Sequence, residues 1–240
     1  MKFSTRWVAP HTAALGLLVS GILLLSSPAS VLAQSEWRLD DWDKTYEANE
    51  NVGDWNSQKF APVLGSGDEF FYQFVHEKQD EHFLHVKSGK NNSFSVGLKK
   101  KFRMKDWPML TWQWRVTELP MGGDVRVKEL DDQAGSVCVI EGPGTFGFDA
   151  ALCYLWENDG PKDTPITSTK NDKARYIILR TGKEDGTGGW FTEQRNIGAD
   201  FRTVFGREPK ADAVVGIQID SDDTKSRGEA FYRNIVLKKQ

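Results

Sequence analysis

Residues 110–132 read LTWQWRVTELPMGGDVRVKELDD, and their spacing decides the fold class. Leu110, Trp112, Trp114 and Val116 recur at every second position, with Thr111, Gln113 and Arg115 between them. Successive side chains of an extended strand point to opposite faces, so the first set makes a core face and the second a polar floor. The run then passes through turn chemistry, Pro120 and Gly122-Gly123, into the acidic doublet Asp131-Asp132.

Runs of similar length lie on both sides. Residues 37–42 suggest an edge strand, and 59–64, 69–76, 82–88 and 93–98 read as strands separated by turn residues at 65–68, 77–81 and 89–92. Downstream, 134–140 and 150–156 are apolar on both faces and should be inner strands covered from both sides, as should 174–181. Residues 189–196, 213–220 and 229–238 complete the set, the last packing back on the first. Residues 198–206 break the pattern, because Phe201, Val204 and Phe205 stand at helical spacing and Gly206 ends the run with Pro209 beyond. About ten short strands with one short helix predict an all-β fold, an antiparallel β-sandwich of jelly-roll type.

Residues 1–33 have the layout of a secretory signal peptide: Lys2 and Arg6, an uncharged apolar run at 12–25, and small residues at Val31 and Ala33. Cleavage before Gln34 is expected, leaving 34–240 as a single sandwich domain without a stable membrane anchor, periplasmic or extracellular. That segment carries 29 basic and 34 acidic side chains, a net charge of −5. Nucleic acid and anionic membrane surfaces demand a basic footprint, so neither is expected as a partner.

In an oxidising compartment the two cysteines, Cys138 and Cys153, acquire a specific meaning. Pairing outward from 141 and 150 in a hairpin brings 138 directly opposite 153, close enough for a bridge. Two buried thiols acting as small hydrophobes are the alternative.

Several motifs invite misreading. Gly142, Gly144 and Gly147 spell GxGxxG, but the nucleotide-binding version needs a helix after it, and here a strand-like run follows. His82 and His85 would point to opposite faces of a strand, which does not make a metal pair, and His76 stands apart. The loop with Asp220, Asp222, Asp223 and Thr224 departs from the EF-hand pattern, since Lys225 and Phe231 replace the turn glycine and the bidentate acid. It reads as a solvated acidic turn, with a different kind of calcium loop as the alternative. No metal and no cofactor are assigned.

Carboxylates and guanidinium groups suit sugar hydroxyls, and aromatic rings suit sugar faces. Arg115, Asp132, Glu193, Arg195, Asp220 and Asp222 are the candidate ligand-binding residues, expected to converge on one sheet face. Trp156 and Trp190, beside turns, are the candidate exposed platforms. The competing reading makes these charges ion pairs that brace the sandwich.

From residue 110 onward the chain resembles the bacterial secreted family called domain of unknown function 3047. The blocks that carry the resemblance are the WQWRV strand, Pro120 through Gly123-Asp124, Asp131-Asp132, and Tyr154-x-Trp156. They continue with Gly189-Trp190, Glu193-x-Arg195, Asp200-Phe201-Arg202, Phe205-Gly206 and Asp220-x-Asp222-Asp223-Thr224. Asp223 stands where the family pattern has Asn. The resemblance implies an exported β-sandwich similar to carbohydrate-binding jelly rolls and supplies no catalytic residue. The functional expectation is a non-catalytic binder of a glycan or small polar ligand. One alternative is an envelope module that binds another protein. The other is a polysaccharide hydrolase or lyase with Asp132 and either Glu193 or Asp220 as acid and base.

Overall fold

A computed structural model describes residues 35–58, 70–77, 81–89, 92–144 and 147–239. The expected signal peptide and the expected strand at 59–64 lie outside the described residues. Residues 34–240 form one compact unit.

Thirteen strands among the described residues build two sheets. The first seven are β1 (Glu36–Arg38), β2 (Trp55–Gln58), β3 (Phe70–His76), β4 (His82–Ser88), β5 (Ser93–Leu98), β6 (Met109–Glu118) and β7 (Gly135–Glu141). Then follow β8 (Ala150–Glu157), β9 (Pro165–Thr167), β10 (Ala174–Thr181), β11 (Phe191–Asn196), β12 (Ala213–Asp220) and β13 (Gly228–Lys238). One sheet runs β11-β6-β13-β4-β3 with β1 on β13, and the other runs β2-β5-β12-β7-β8-β10-β9. The closing strand does pack back on the first, Trp37 standing opposite Leu237. The expected strands at 82–88, 93–98, 174–181 and 213–220 match the observed ones. β2 and the three-residue β9 were not foreseen; β9 begins at a proline and has no alternation to reveal it.

Pairing is antiparallel except between β8 and β10, which run parallel. A parallel neighbour needs a crossover rather than a tight turn. Here residues 158–173 make it, and β9 adds to the far side of β10 on the way. That excursion carries Ser168 and Lys170 to the outer face of the seven-stranded sheet.

The inner faces of both sheets meet in one core containing Leu110, Trp112, Trp114, Val116, Leu152, Tyr154 and Trp156. The outer face of the seven-stranded sheet is also apolar. Cys138, Ala151, Cys153, Leu155, Tyr176 and Ile178 form a second buried cluster there with Val125. This explains why β7 and β8 read as apolar on both faces: the loop carrying Val125 and the side chains around Tyr176 cover them from outside. Cys138 and Cys153 are opposite each other in the β7–β8 register and are joined by a disulfide. Gly142 and Gly144 lie in the β7–β8 connection, and a strand follows it, so no nucleotide-binding helix exists there.

The expected short helix is α2 (Ile197–Phe205), preceded by a single helical turn, α1 (Gly182–Asp185). Phe201 is buried on the core, and Gly206 ends α2 in the left-handed region at φ 64°. Asn196 caps its start, the side-chain oxygen accepting from the Ala199 amide at 2.9 Å. Asn196→Ala is expected to lower stability by about 1 kcal/mol, read as a shift in the urea midpoint at unchanged slope.

Candidate functional site

The candidate site is a cavity of about 310 Å³ on the outer face of the seven-stranded sheet. Its floor is the Cys138–Cys153 disulfide with Ala151 and Ile140, and Phe148 and Tyr176 are its aromatic members. Polar groups reach it from several segments: Ser93 from β5, Gln218 and Asp220 from β12, Ser168, Lys170 and Asn171 from the crossover, and Asp131 from the loop before β7. Asp222 joins them from the β12–β13 turn.

Local structure holds the acidic end in place. Asp132 is fully buried and works as a clasp, accepting from the amides of Asp223 at 3.1 Å and Thr224 at 2.7 Å and from the Thr224 hydroxyl at 2.6 Å. Gly123 closes against the same segment; a Cβ there would stand 2.5 Å from the Asp132 carbonyl oxygen, so glycine permits the close approach. Asp132, Asp222 and Asp223 thereby present carboxylate oxygens within 4.8 Å of one another. The Lys170 ammonium donates to Asp223.

This end of the cavity has unusual electrostatics. Asp131 is 3% exposed, and its Oδ1 has no hydrogen-bond partner; Asp222 Oδ1 and both side-chain oxygens of the buried Glu157 also lack one. Burial pushes the Asp131 carboxyl up to about 6, against the pull of Lys170 and with help from Asp223, Asp132 and Asp222. Burial likewise holds Asp220 well above the usual carboxylate range, with Asp222 adding to the rise. Glu157, outside the cavity lining, is raised in the same way, first by burial and then by Asp124 and Asp131. Burial and the Asp131 charge push the Tyr176 phenol up to about 12. For Lys170, burial works against the charged form, but the hydrogen bond to Asp223 and the charge of Asp220 raise its pKa overall.

The residues singled out in the sequence do not converge on one face; they occupy four places. Arg115 and Trp190 lie on the outer face of the six-stranded sheet. There the Arg115 guanidinium sits 4.1 Å from the Phe231 ring centroid and 5.0 Å from that of Trp190, and Arg233 lies 4.1 Å from Trp190. Glu193 and Arg195 are braces. Glu193 accepts from Arg180 at 2.7 Å and from the Trp114 indole at 3.1 Å, while Arg195 pairs with Asp200 at 2.9 Å and Asp163 at 2.7 Å. Only Asp220 and Asp222 line the candidate cavity, and Asp132 is buried beside its acidic end, bonded to the Asp223 and Thr224 amides. Trp156 is no exposed platform: it is fully buried with Trp114 and Phe191 against it, because it continues the inward set Leu152, Tyr154, Trp156 along β8.

Sequence reading missed Lys170, Asn171, Tyr176 and Gln218. The acidic doublet and the DSDDT run were visible signals, but the crossover that brings Lys170 to them leaves no periodic mark.

Residues 53–236 match the family described as Protein of unknown function (DUF3047). The chain belongs to that family. A search of curated proteins finds no match for this DUF3047 protein. Among solved structures it is similar to a family 11 carbohydrate-binding module from Clostridium thermocellum in complex with a β-1,3-1,4-mixed-linked tetrasaccharide. That match has 12% identity, 86% of this chain and 97% of that chain covered, and a TM-score of 0.43. A family 12 xyloglucanase from Bacillus licheniformis matches at 9% identity, with 82% and 100% covered and a TM-score of 0.43. The catalytic domain of Humicola grisea Cel12A, in complex with a soaked thio cellotetraose, matches at 8% identity, with 79% and 94% covered and a TM-score of 0.45. The likeness is one of architecture.

Proposed function

We propose that this DUF3047 protein is an exported, non-catalytic module that binds a glycan or similar polyhydroxylated ligand in the cavity on the outer face of the seven-stranded sheet. The observation that carries the reading is the cavity's composition: apolar floor, aromatic members, and converging polar groups of which Asp131 and Asp222 have oxygens without a hydrogen-bond partner. Concave sites that pair apolar surface with a few fixed polar groups are the usual form of small-ligand sites. Sugars need that combination, with C–H faces against an apolar surface and hydroxyls that both donate and accept. Export rests on the sequence of residues 1–33. A binding rather than hydrolytic role is favoured because Asp132 is already engaged by three donors and Glu193 is tied to Arg180 and Trp114.

The test is calorimetry and thermal shift of the purified protein against a panel of soluble glycans. A ligand that binds only the folded state adds about 2.7 kcal/mol at a hundredfold excess over its dissociation constant. For the glycan that binds, Asn171→Ala and Gln218→Ala are each expected to weaken affinity by roughly three- to tenfold, the worth of one hydrogen bond. Arg115→Ala, on the other sheet, should leave it unchanged. A panel without a binder, or cavity variants that bind like the wild type while Arg115→Ala does not, would overturn the assignment.

A further inference from the structure

The acidic end of the cavity has a geometry that hydrogen bonding within the protein does not exhaust. Three carboxylates, those of Asp132, Asp222 and Asp223, bring oxygens within 4.8 Å of one another, and Lys170 pairs with Asp223. An acidic cluster alone is commonplace on protein surfaces, but Asp131 is different. It is 3% exposed, its Oδ1 has no partner, and it lines the same cavity as Asp220 and Asp222. It also lies within electrostatic reach of Asp132, Asp222 and Asp223. Asp222 Oδ1 is a second buried oxygen without a donor. Withdrawing a carboxylate oxygen from water without supplying a donor is costly, and a cation is the partner that would offset it.

The donor set decides which cation. Every group is an oxygen, with no histidine or cysteine thiolate among them, which selects a hard ion over zinc or copper. Opposed ligands around calcium stand about 4.6–5.2 Å apart, whereas around magnesium they stand about 4.0–4.2 Å apart. Calcium, with its longer bonds and flexible coordination, accepts an irregular carboxylate cluster of this kind, whereas magnesium demands near-ideal octahedral geometry. Asp132, clasped by the amides of Asp223 and Thr224, supplies the rigidity that orients the turn.

We propose that Asp132, Asp222 and Asp223 form a calcium site at the end of the cavity, with the buried Asp131 carboxylate adding negative charge beside it and the Lys170 ammonium released from Asp223 when the ion binds. The proposal goes beyond glycan binding and does not depend on it, since the ion would bind in the absence of any sugar.

The test is calorimetric titration of the purified, chelator-treated protein with calcium chloride, with magnesium chloride in parallel and circular dichroism confirming the fold of each variant. One saturable calcium site is expected, with a dissociation constant on the order of 10⁻⁵–10⁻³ M and weaker binding of magnesium. Asp222→Asn should weaken calcium binding by about tenfold or more, the loss of one charged ligand, and Asp131→Asn should weaken it by about threefold or more, the loss of a buried negative charge beside the ion. Asp131→Asn removes a buried carboxylate whose Oδ1 has no hydrogen-bond partner, so its fold is expected to survive. Lys170→Met, which frees Asp223 of its ammonium, should tighten binding, a response a purely structural acidic cluster would not give. Absence of saturable binding up to about 10 mM calcium, above the range of weak extracellular sites, would overturn the proposal. So would wild-type affinity in both aspartate variants. Because the titration contains no glycan, either result leaves the sugar-binding reading to its own test.

Discussion

Trp114→Ala is expected to cost about 3–5 kcal/mol of stability, the range for truncating a buried aromatic side chain to alanine. Trp114 is fully buried at the centre of an aromatic stack. Its ring meets Trp112 edge-on at 5.7 Å and Trp156 at 5.5 Å, and Phe191 packs on Trp156 at 5.2 Å, so rings from three strands and both sheets depend on it. Its indole nitrogen also donates to Glu193 at 3.1 Å. Alanine would leave a cavity too tightly framed to collapse, since the neighbours are themselves large rings on paired strands. Glu193 would keep Arg180 as a partner, so the lost hydrogen bond adds less than the cavity. Trp114→Phe, which keeps most of the ring and loses the donor, should cost about 1–2 kcal/mol. Urea unfolding of the three proteins gives the check, because a change of midpoint at constant slope reports stability alone. A loss of this size is a large share of the 5–15 kcal/mol typical of a domain. If Trp114→Ala unfolded at the wild-type midpoint, the stack would not be the organising core.

That core was legible because alternation is a local property. Leu110, Trp112, Trp114 and Val116 declare their common face within one strand, and the cross-strand position of Cys138 and Cys153 follows from one hairpin loop. Trp156 shows the reach of the same rule: its proximity to a turn suggests exposure, while its parity with Leu152 and Tyr154 places it inside. The candidate site is another matter. Whether Arg115, Arg195 and Asp220 share a face depends on strand order and on which sheet each strand joins, and neither is written in periodicity. β6 and β12 lie in different sheets, so Arg115 and Asp220 are separated by the sandwich itself. Arg195, at the edge strand β11, is drawn to Asp200 of the following helix and to Asp163 of the crossover. Glu193 and Arg195 stand in ion pairs with Arg180 and Asp200. The Asp131–Asp132 and Asp220–Asp223 segments meet because the Asp132 carboxylate captures the amides of the second segment, a long-range hydrogen bond with no local signature.

The second large effect concerns acid. Glu229, on β13, is held on the outer face of the six-stranded sheet by three donors: Lys87 and His85, each at 2.8 Å, and the Thr117 hydroxyl at 2.6 Å. Burial works against its ionised form, but those hydrogen bonds and the Lys87 charge outweigh it and bring the pKa down to about 2 from 4.5. A folded-state pKa below the unfolded one means that the ionised group stabilises the fold. That contribution is complete above about pH 4.5 and is lost as pH falls toward 2. With the Glu229 side chain about one-fifth exposed, the contribution is about 2–3 kcal/mol at neutral pH. His85, stacked on Phe231 at 4.1 Å, acts in the same direction. Burial lowers its pKa from 6.5 despite the adjacent Glu229, so its neutral form is favoured in the fold and that preference is lost as acid protonates the ring. Stability should therefore begin to decline below about pH 6.5 and fall more steeply below about 4.5. Glu229→Gln separates the two groups. Urea unfolding from pH 7 to pH 2 should show a gap between wild type and variant of about 2–3 kcal/mol at neutral pH that closes as the carboxylate titrates. A gap that stayed constant across that range would mean that Glu229 contributes through packing and neutral hydrogen bonds, with its charge playing no part.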